Sequence, residues 1–135
     1  MRDMSNNGRG APSGAPFLIL VWAGLAGAAG VALAAAAAHK VDNPALASAS
    51  VMLTLHAAAA IGIFAISLRA VWRRTWSAVA LLMLLGASLF SGVIAYSAFM
   101  DDASFQGMAP VGGTLMIVSW LIIACLAIAE ALAKR

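Results

Sequence analysis

The chain has 135 residues, 64% of them hydrophobic, 33 of them alanine and only 10% charged, against about 25% charged residues in a soluble domain. With a mean hydropathy of +0.98 it lacks the polar surface to cover a water-soluble fold, which excludes soluble enzymes, nucleic-acid readers and secreted disulfide scaffolds. The net charge of +3 comes from basic residues placed in loops and tails between apolar runs, the pattern of topology signals rather than of a polyanion site.

Residues 1–16 are rich in Gly, Pro, Ser and Asn, carry Arg2 and Arg9, and are expected as a flexible cytoplasmic tail. The remainder, 17–135, reads as one membrane domain with spans at about 17–38, 45–68, 76–100 and 111–129, each near the length of about 20 apolar residues that a spanning helix needs. The first run, Phe17 to Ala38, has 22 uncharged residues, longer than the apolar core of roughly 7–15 residues in a signal peptide. His39 and Lys40 end it. In the turn that follows, Asn43 is suited to cap a helix whose first position is taken by Pro44. The second run contains one ionisable group, His56. Arg69, Arg73 and Arg74, with Trp72 and Trp76, then mark a membrane interface. The third run is closed by Asp101-Asp102. The fourth contains Cys125, expected as a packed small hydrophobe, and ends at Glu130 and Lys134, spaced for an ion pair within one helical turn.

Short connections force neighbouring spans to alternate in direction, so the expected fold is an all-α, integral membrane, four-helix up-down-up-down bundle. Seven Lys and Arg residues fall on one side of that arrangement and only Lys40 on the other, which orients both termini to the cytoplasm and puts Trp22, Trp72 and Trp76 at the same interface. Small residues are expected to hold the bundle together: Gly24, Gly27, Gly30 and Ala34 as a strip on the first helix, with Gly24/Ala28 and Ala26/Gly30 as close-packing pairs, and Ala57–Ala60, Gly62, Gly86, Ser88 and Gly92 on the others.

His56 lies about 16 Å along its helix, near the bilayer middle. At similar depth are Ser88, Ser91, Ser119 and Trp120, so His56, Ser91 and Ser119 are candidates for one polar network. The open readings of His56 are a proton relay, a haem or metal ligand, a polar contact for quinone or lipid, and a neutral imidazole bonded to a neighbouring helix, the last being the commonest such role. His39 differs from His56 in depth by about 15 Å, too far for one metal ion or haem iron. No carboxylate falls inside a span, and Ser91 has no base but His56. The expectation is therefore a protein that is not an enzyme, with no metal and no cofactor.

Four pieces of the chain taken together carry a resemblance: AAAAAHK (Ala34 to Lys40), His56-Ala57, LFSG (Leu89 to Gly92), and APVGG (Ala109 to Gly113) with Ser119-Trp120. Over residues 20–130 the chain resembles the transmembrane protein 256 family, small four-helix membrane proteins of unknown function with bacterial inner-membrane relatives. That resemblance implies the bundle fold and a bacterial-type inner (plasma) membrane location, singles out His39, His56, Ser91, Pro110, Gly112 and Gly113, and implies no reaction. The chain departs from the family pattern at Lys40, at Ser119 and in the Leu53-Thr54-Leu55 segment before His56. The expected function is an accessory or stabilising subunit of a larger membrane complex, respiratory complexes included, with membrane lipid and other membrane subunits as partners and no nucleic acid. The alternative is a small-molecule or lipid transporter or binding protein using His56 and Ser91.

Overall fold

A computed structural model of the chain describes residues 15–39 and 43–134. Most of the expected tail, Lys40, Asp42 and Arg135 lie outside the described residues. The elements are α1 (Ala15–His39), α2 (Pro44–Ser67), α3 (Arg73–Met100), a 3-10 turn over Gln106–Met108, and α4 (Ala109–Ala133). All four α-helices are long and apolar enough to cross a membrane, and no strand occurs among the described residues. The protein is a multi-pass, all-α membrane protein.

Local chemistry sets the helix ends. Asn43 has an extended backbone and its side chain accepts the N–H of Ala45 at 3.0 Å, with Pro44 at the first helical position where no N–H is needed. At the other end of α3, Asp101 adopts the left-handed conformation (φ 51°), which Asp tolerates better than most side chains and which stops the helix. Boundaries differ from expectation by two or more residues at four ends: α1 starts at Ala15 rather than 17, α4 runs on to Ala133 rather than 129, and the starts of α3 and α4 move for a local reason. α3 starts at Arg73 rather than 76, because nothing between Arg73 and Trp76 breaks a helix. α4 starts at Ala109 rather than 111, because Pro110 falls in its first turn, where proline is accommodated.

α2 and α3 form the centre: 44% of the apolar window of each is buried, against 22% for α1 and 17% for α4. Met83, Leu84, Ala80 and Ala87 of α3 are fully enclosed. Each helix packs mainly on its neighbour in the chain, with α1 also touching α3. No Cα of α4 comes within 8 Å of α1 or α2, so the bundle is open between its first and last helices. Ser91 meeting Ala49 and Ser77 meeting Ser67 run α3 against α2 in opposite senses, and Gly112 near Gly86 with Glu130 near Val71 do the same for α4 against α3.

Glycine packing is more selective than the sequence suggests. A Cβ on Gly112 would stand 2.5 Å from the backbone N of Phe90 and 2.7 Å from the carbonyl O of Gly86, so α3 and α4 touch backbone to backbone there. Gly30 makes a comparable approach to Ser50 and Thr54 of α2. Gly24, Gly27, Gly62 and Gly92 have nothing within 4 Å of where a Cβ would be. The strip expected on α1 is thus two faces. Residues two apart on a helix point about 200° apart, so Ala26 and Gly30 are buried against α2 while Gly24 and Ala28 are exposed.

Of the three tryptophans expected at one interface, Trp76 is 3% exposed and packs in the core, the Trp22 indole reaches inward to Ser88, and Trp72 is exposed. One further expectation is corrected. Cys125 is exposed on α4 rather than packed in the bundle, because α4 contributes so little surface to the core.

Candidate functional site

His56 is 4% exposed, in the middle of α2. Its Nδ1 is 2.7 Å from the carbonyl oxygen of Met52, one turn earlier, and its Nε2 is 3.2 Å from Nε1 of Trp120 on α4. A carbonyl only accepts and an indole N–H only donates, so these partners assign the neutral tautomer with the proton on Nδ1. The two rings meet edge to face, 6.2 Å between centroids. Both ring nitrogens are therefore occupied. Protonation would place a second N–H against the Trp120 N–H, and a metal would have to displace either Trp120 or the Met52 carbonyl. This side-chain bridge joins α2 to α4 although their backbones stay apart.

The other candidate polar groups find partners elsewhere. Ser91, fully buried, donates to the carbonyl of Ala49 on α2 at 2.8 Å. Ser119, also fully buried, donates to Leu115 one turn back in α4 at 2.8 Å. The structure does not link His56, Ser91 and Ser119 by hydrogen bonds: each is satisfied separately, and Trp120, not either serine, is the partner of His56. Ser50 donates to the carbonyl of Gly30 at 2.8 Å, made possible by the missing side chain there, and Trp22 donates to Ser88 at 3.1 Å. Ser88 and Ser91 line a groove of about 550 Å³ between α1 and α3, otherwise walled by apolar groups such as Leu25, Leu33 and Leu53. His56 does not face it.

Of the remaining expected positions, His39 is the exposed last residue of α1. Pro110 opens α4, Gly112 makes the backbone crossing, and Gly113 approaches only the ring of Phe90, at 4.0 Å. No group of three or more His, Cys, Asp or Glu among the described residues is placed to hold a metal ion.

Glu130 was the residue least legible in advance. It is 8% exposed, and beyond the ion pair with Lys134 (3.2 Å) its Oε1 accepts the backbone N–H of Val71, just before α3. The α4 carboxylate thus satisfies an N–H at the start of α3, a favourable place for negative charge. Its Oε2 and the Trp76 indole N–H are both buried without a hydrogen-bond partner. The only signal in the sequence was an acid closing an apolar run, and Lys134 four residues later offered a sufficient explanation for it. At the opposite end, Asp102 accepts the hydroxyl and N–H of Ser104, which hold its carboxyl below the ordinary range, helped by the Tyr96 hydroxyl.

Fold and site together define a small multi-pass helical membrane protein whose buried polar side chains mostly serve to tie helices together. Residues 26–113 match a family described as protein of unknown function (DUF423), and the chain belongs to that family. This agrees with the expectation of a small membrane family without a known activity. The matched segment includes His39, His56, Ser91, Pro110, Gly112 and Gly113, and stops short of Trp120 and Glu130. No solved structure matches the chain.

Proposed function

We propose that this protein is a non-catalytic accessory subunit that packs against other membrane proteins in a larger assembly of a bacterial-type inner membrane, respiratory complexes being the first to examine. The observation that carries this reading is the outward Gly24/Ala28 face of α1. It is a small-xxx-small pair, the pattern that lets two membrane helices approach closely, yet nothing among the described residues lies within 4 Å of where a Cβ on Gly24 would be, and Ala28 is exposed. The seven-to-one distribution of Lys and Arg supports a topology with both termini in the cytoplasm.

The reading of His56 and Ser91 as transport or ligand contacts has less support. Both nitrogens of His56 are engaged, Ser91 donates to a backbone carbonyl, and the α1–α3 groove that Ser91 lines is not lined by His56.

Gentle extraction through an affinity tag followed by native mass spectrometry tests the proposal. Stoichiometric membrane subunits are expected with the native chain and are lost with Gly24→Leu, at a position where an added Cβ meets nothing among the described residues. A lone, folded monomer from the native chain, or retention of the same partners by Gly24→Leu, would overturn it.

A further inference from the structure

The C-terminal ends of α2 and α4 do not meet. Between them is a pocket of about 600 Å³ lined by Ala65, Ile66, Leu68 and Arg69 on one side and by Glu130 and Lys134 on the other. We propose that this pocket binds one anionic phospholipid, its phosphate held between Arg69 and Lys134 and an acyl chain lying along Ile66.

Charge points to an anion. Two cations and one acid line the pocket, and the acid, Glu130, is 8% exposed with its Oε1 committed to the Val71 N–H and to Lys134. The Glu130–Lys134 pair is the one ion pair among the described residues, so no carboxylate among them is paired with the Arg69 guanidinium. Its planar fork matches the oxygens of a phosphate. Glu130 also fixes Lys134 at the rim, four residues along the same helix.

Position and walls point to a lipid rather than a soluble anion. The pocket lies at the ends of two membrane-spanning helices, beside the α2–α3 connection that carries Trp72 and leads into Arg73 and Arg74 at the start of α3. Basic clefts between spanning helices at this level suit lipid headgroups. Ile66 and Leu68 are each about half exposed, at 52% and 53%, and lead from the basic rim back along α2 into the hydrocarbon zone. A free phosphate has no use for such a wall; a diacyl lipid does. The site stands whether or not the protein joins an assembly.

The test is native mass spectrometry of the purified full chain titrated with phosphatidylglycerol or phosphatidylcholine. One phosphatidylglycerol is expected to be retained with roughly tenfold preference, the scale of one charge-assisted contact. Arg69→Gln should abolish the preference and Lys134→Gln should reduce it. The double variant Arg73→Gln/Arg74→Gln removes more charge from the same interface outside the pocket and should leave the preference intact. Millimolar inorganic phosphate should not displace the lipid. Equal retention of both lipids, an equal loss in the Arg73/Arg74 variant, or displacement by phosphate would each overturn the proposal. Should Arg69→Gln fail to fold, the Lys134→Gln and Arg73/Arg74 variants decide it by the same comparison.

Discussion

Replacing Gly112 by alanine tests whether the α3–α4 crossing is as close as the structure has it. The added Cβ would stand 2.5 Å from N of Phe90, 2.7 Å from O of Gly86 and 2.9 Å from Cα of Phe90, where ordinary contact begins at 3.4 Å. All three are backbone atoms, so no rotamer change relieves the clash, and α4 must withdraw by about 0.9 Å. Overpacking of this kind costs about 1–3 kcal/mol. Alanine also returns about 1 kcal/mol of helix propensity over glycine, so the net loss is about 0–2 kcal/mol against the native chain and about 1–3 kcal/mol against a glycine-to-alanine change without the clash. Gly92→Ala is the matched control: it carries the same propensity gain on the same helix pair, with nothing within 4 Å of the new methyl. Reversible unfolding in mild detergent by added dodecyl sulfate, followed by far-ultraviolet circular dichroism, measures both. Gly112→Ala should fall below Gly92→Ala, which should equal or exceed the native chain. A Gly112→Ala protein as stable as Gly92→Ala would refute the close crossing.

Three other outcomes are expected. Trp120→Phe leaves Nε2 of His56 buried without a donor and should cost about 1–2 kcal/mol, while nitrogen-15 spectra of the native protein should show the neutral imidazole protonated on Nδ1; the opposite tautomer would contradict the assignment. Glu130→Ala should speed amide exchange at Val71, whereas Glu130→Gln keeps an acceptor there and loses only the pairing with Lys134, so equal effects of the two would dismiss the interhelical contact. Asp102 has its carboxyl pulled below the usual value of 3.8 by Ser104. Its contribution to the α3–α4 connection is therefore complete above the unfolded value and is lost as pH falls through the lower folded one. The protection of the Ser104 amide, measured against its intrinsic exchange rate, should fall below about pH 4 in the native chain and be low at every pH in Asp102→Ala.

Run length and punctuation made the helices legible. Apolar runs of span length, the Asn43-Pro44 start and the Asp101 stop are local signals, and local signals fix local structure. The depth of His56 also brought Trp120 into the set of possible partners. Which of Ser88, Ser91, Ser119 and Trp120 would reach it was not legible, because that depends on how the helices are rotated about their axes. Near-uniform apolarity removes the amphipathic stripe that fixes rotation in a soluble helix. The same lack of a stripe hid the division of α1 into an inner Ala26/Gly30 face and an outer Gly24/Ala28 face. Glu130 escaped because its partner is a backbone N–H, and a backbone group leaves no mark in a sequence.

The neighbour-to-neighbour packing of the helices bears on how the chain is assembled. Every extensive interface joins helices made one after the other, so none has to wait in the bilayer for a distant mate, and low contact order of this kind favours rapid packing. Beyond these neighbours, α1 touches α3, where Trp22 bonds Ser88 across 66 residues, and His56 reaches Trp120 across 64. The second of these bonds, like that of Glu130 to Val71 within the α3–α4 pair, depends on α4, the last helix to emerge. Synthesis thus lays down a row of hairpins, and the arrival of α4 fastens side-chain latches to a structure whose backbone contacts are already in place.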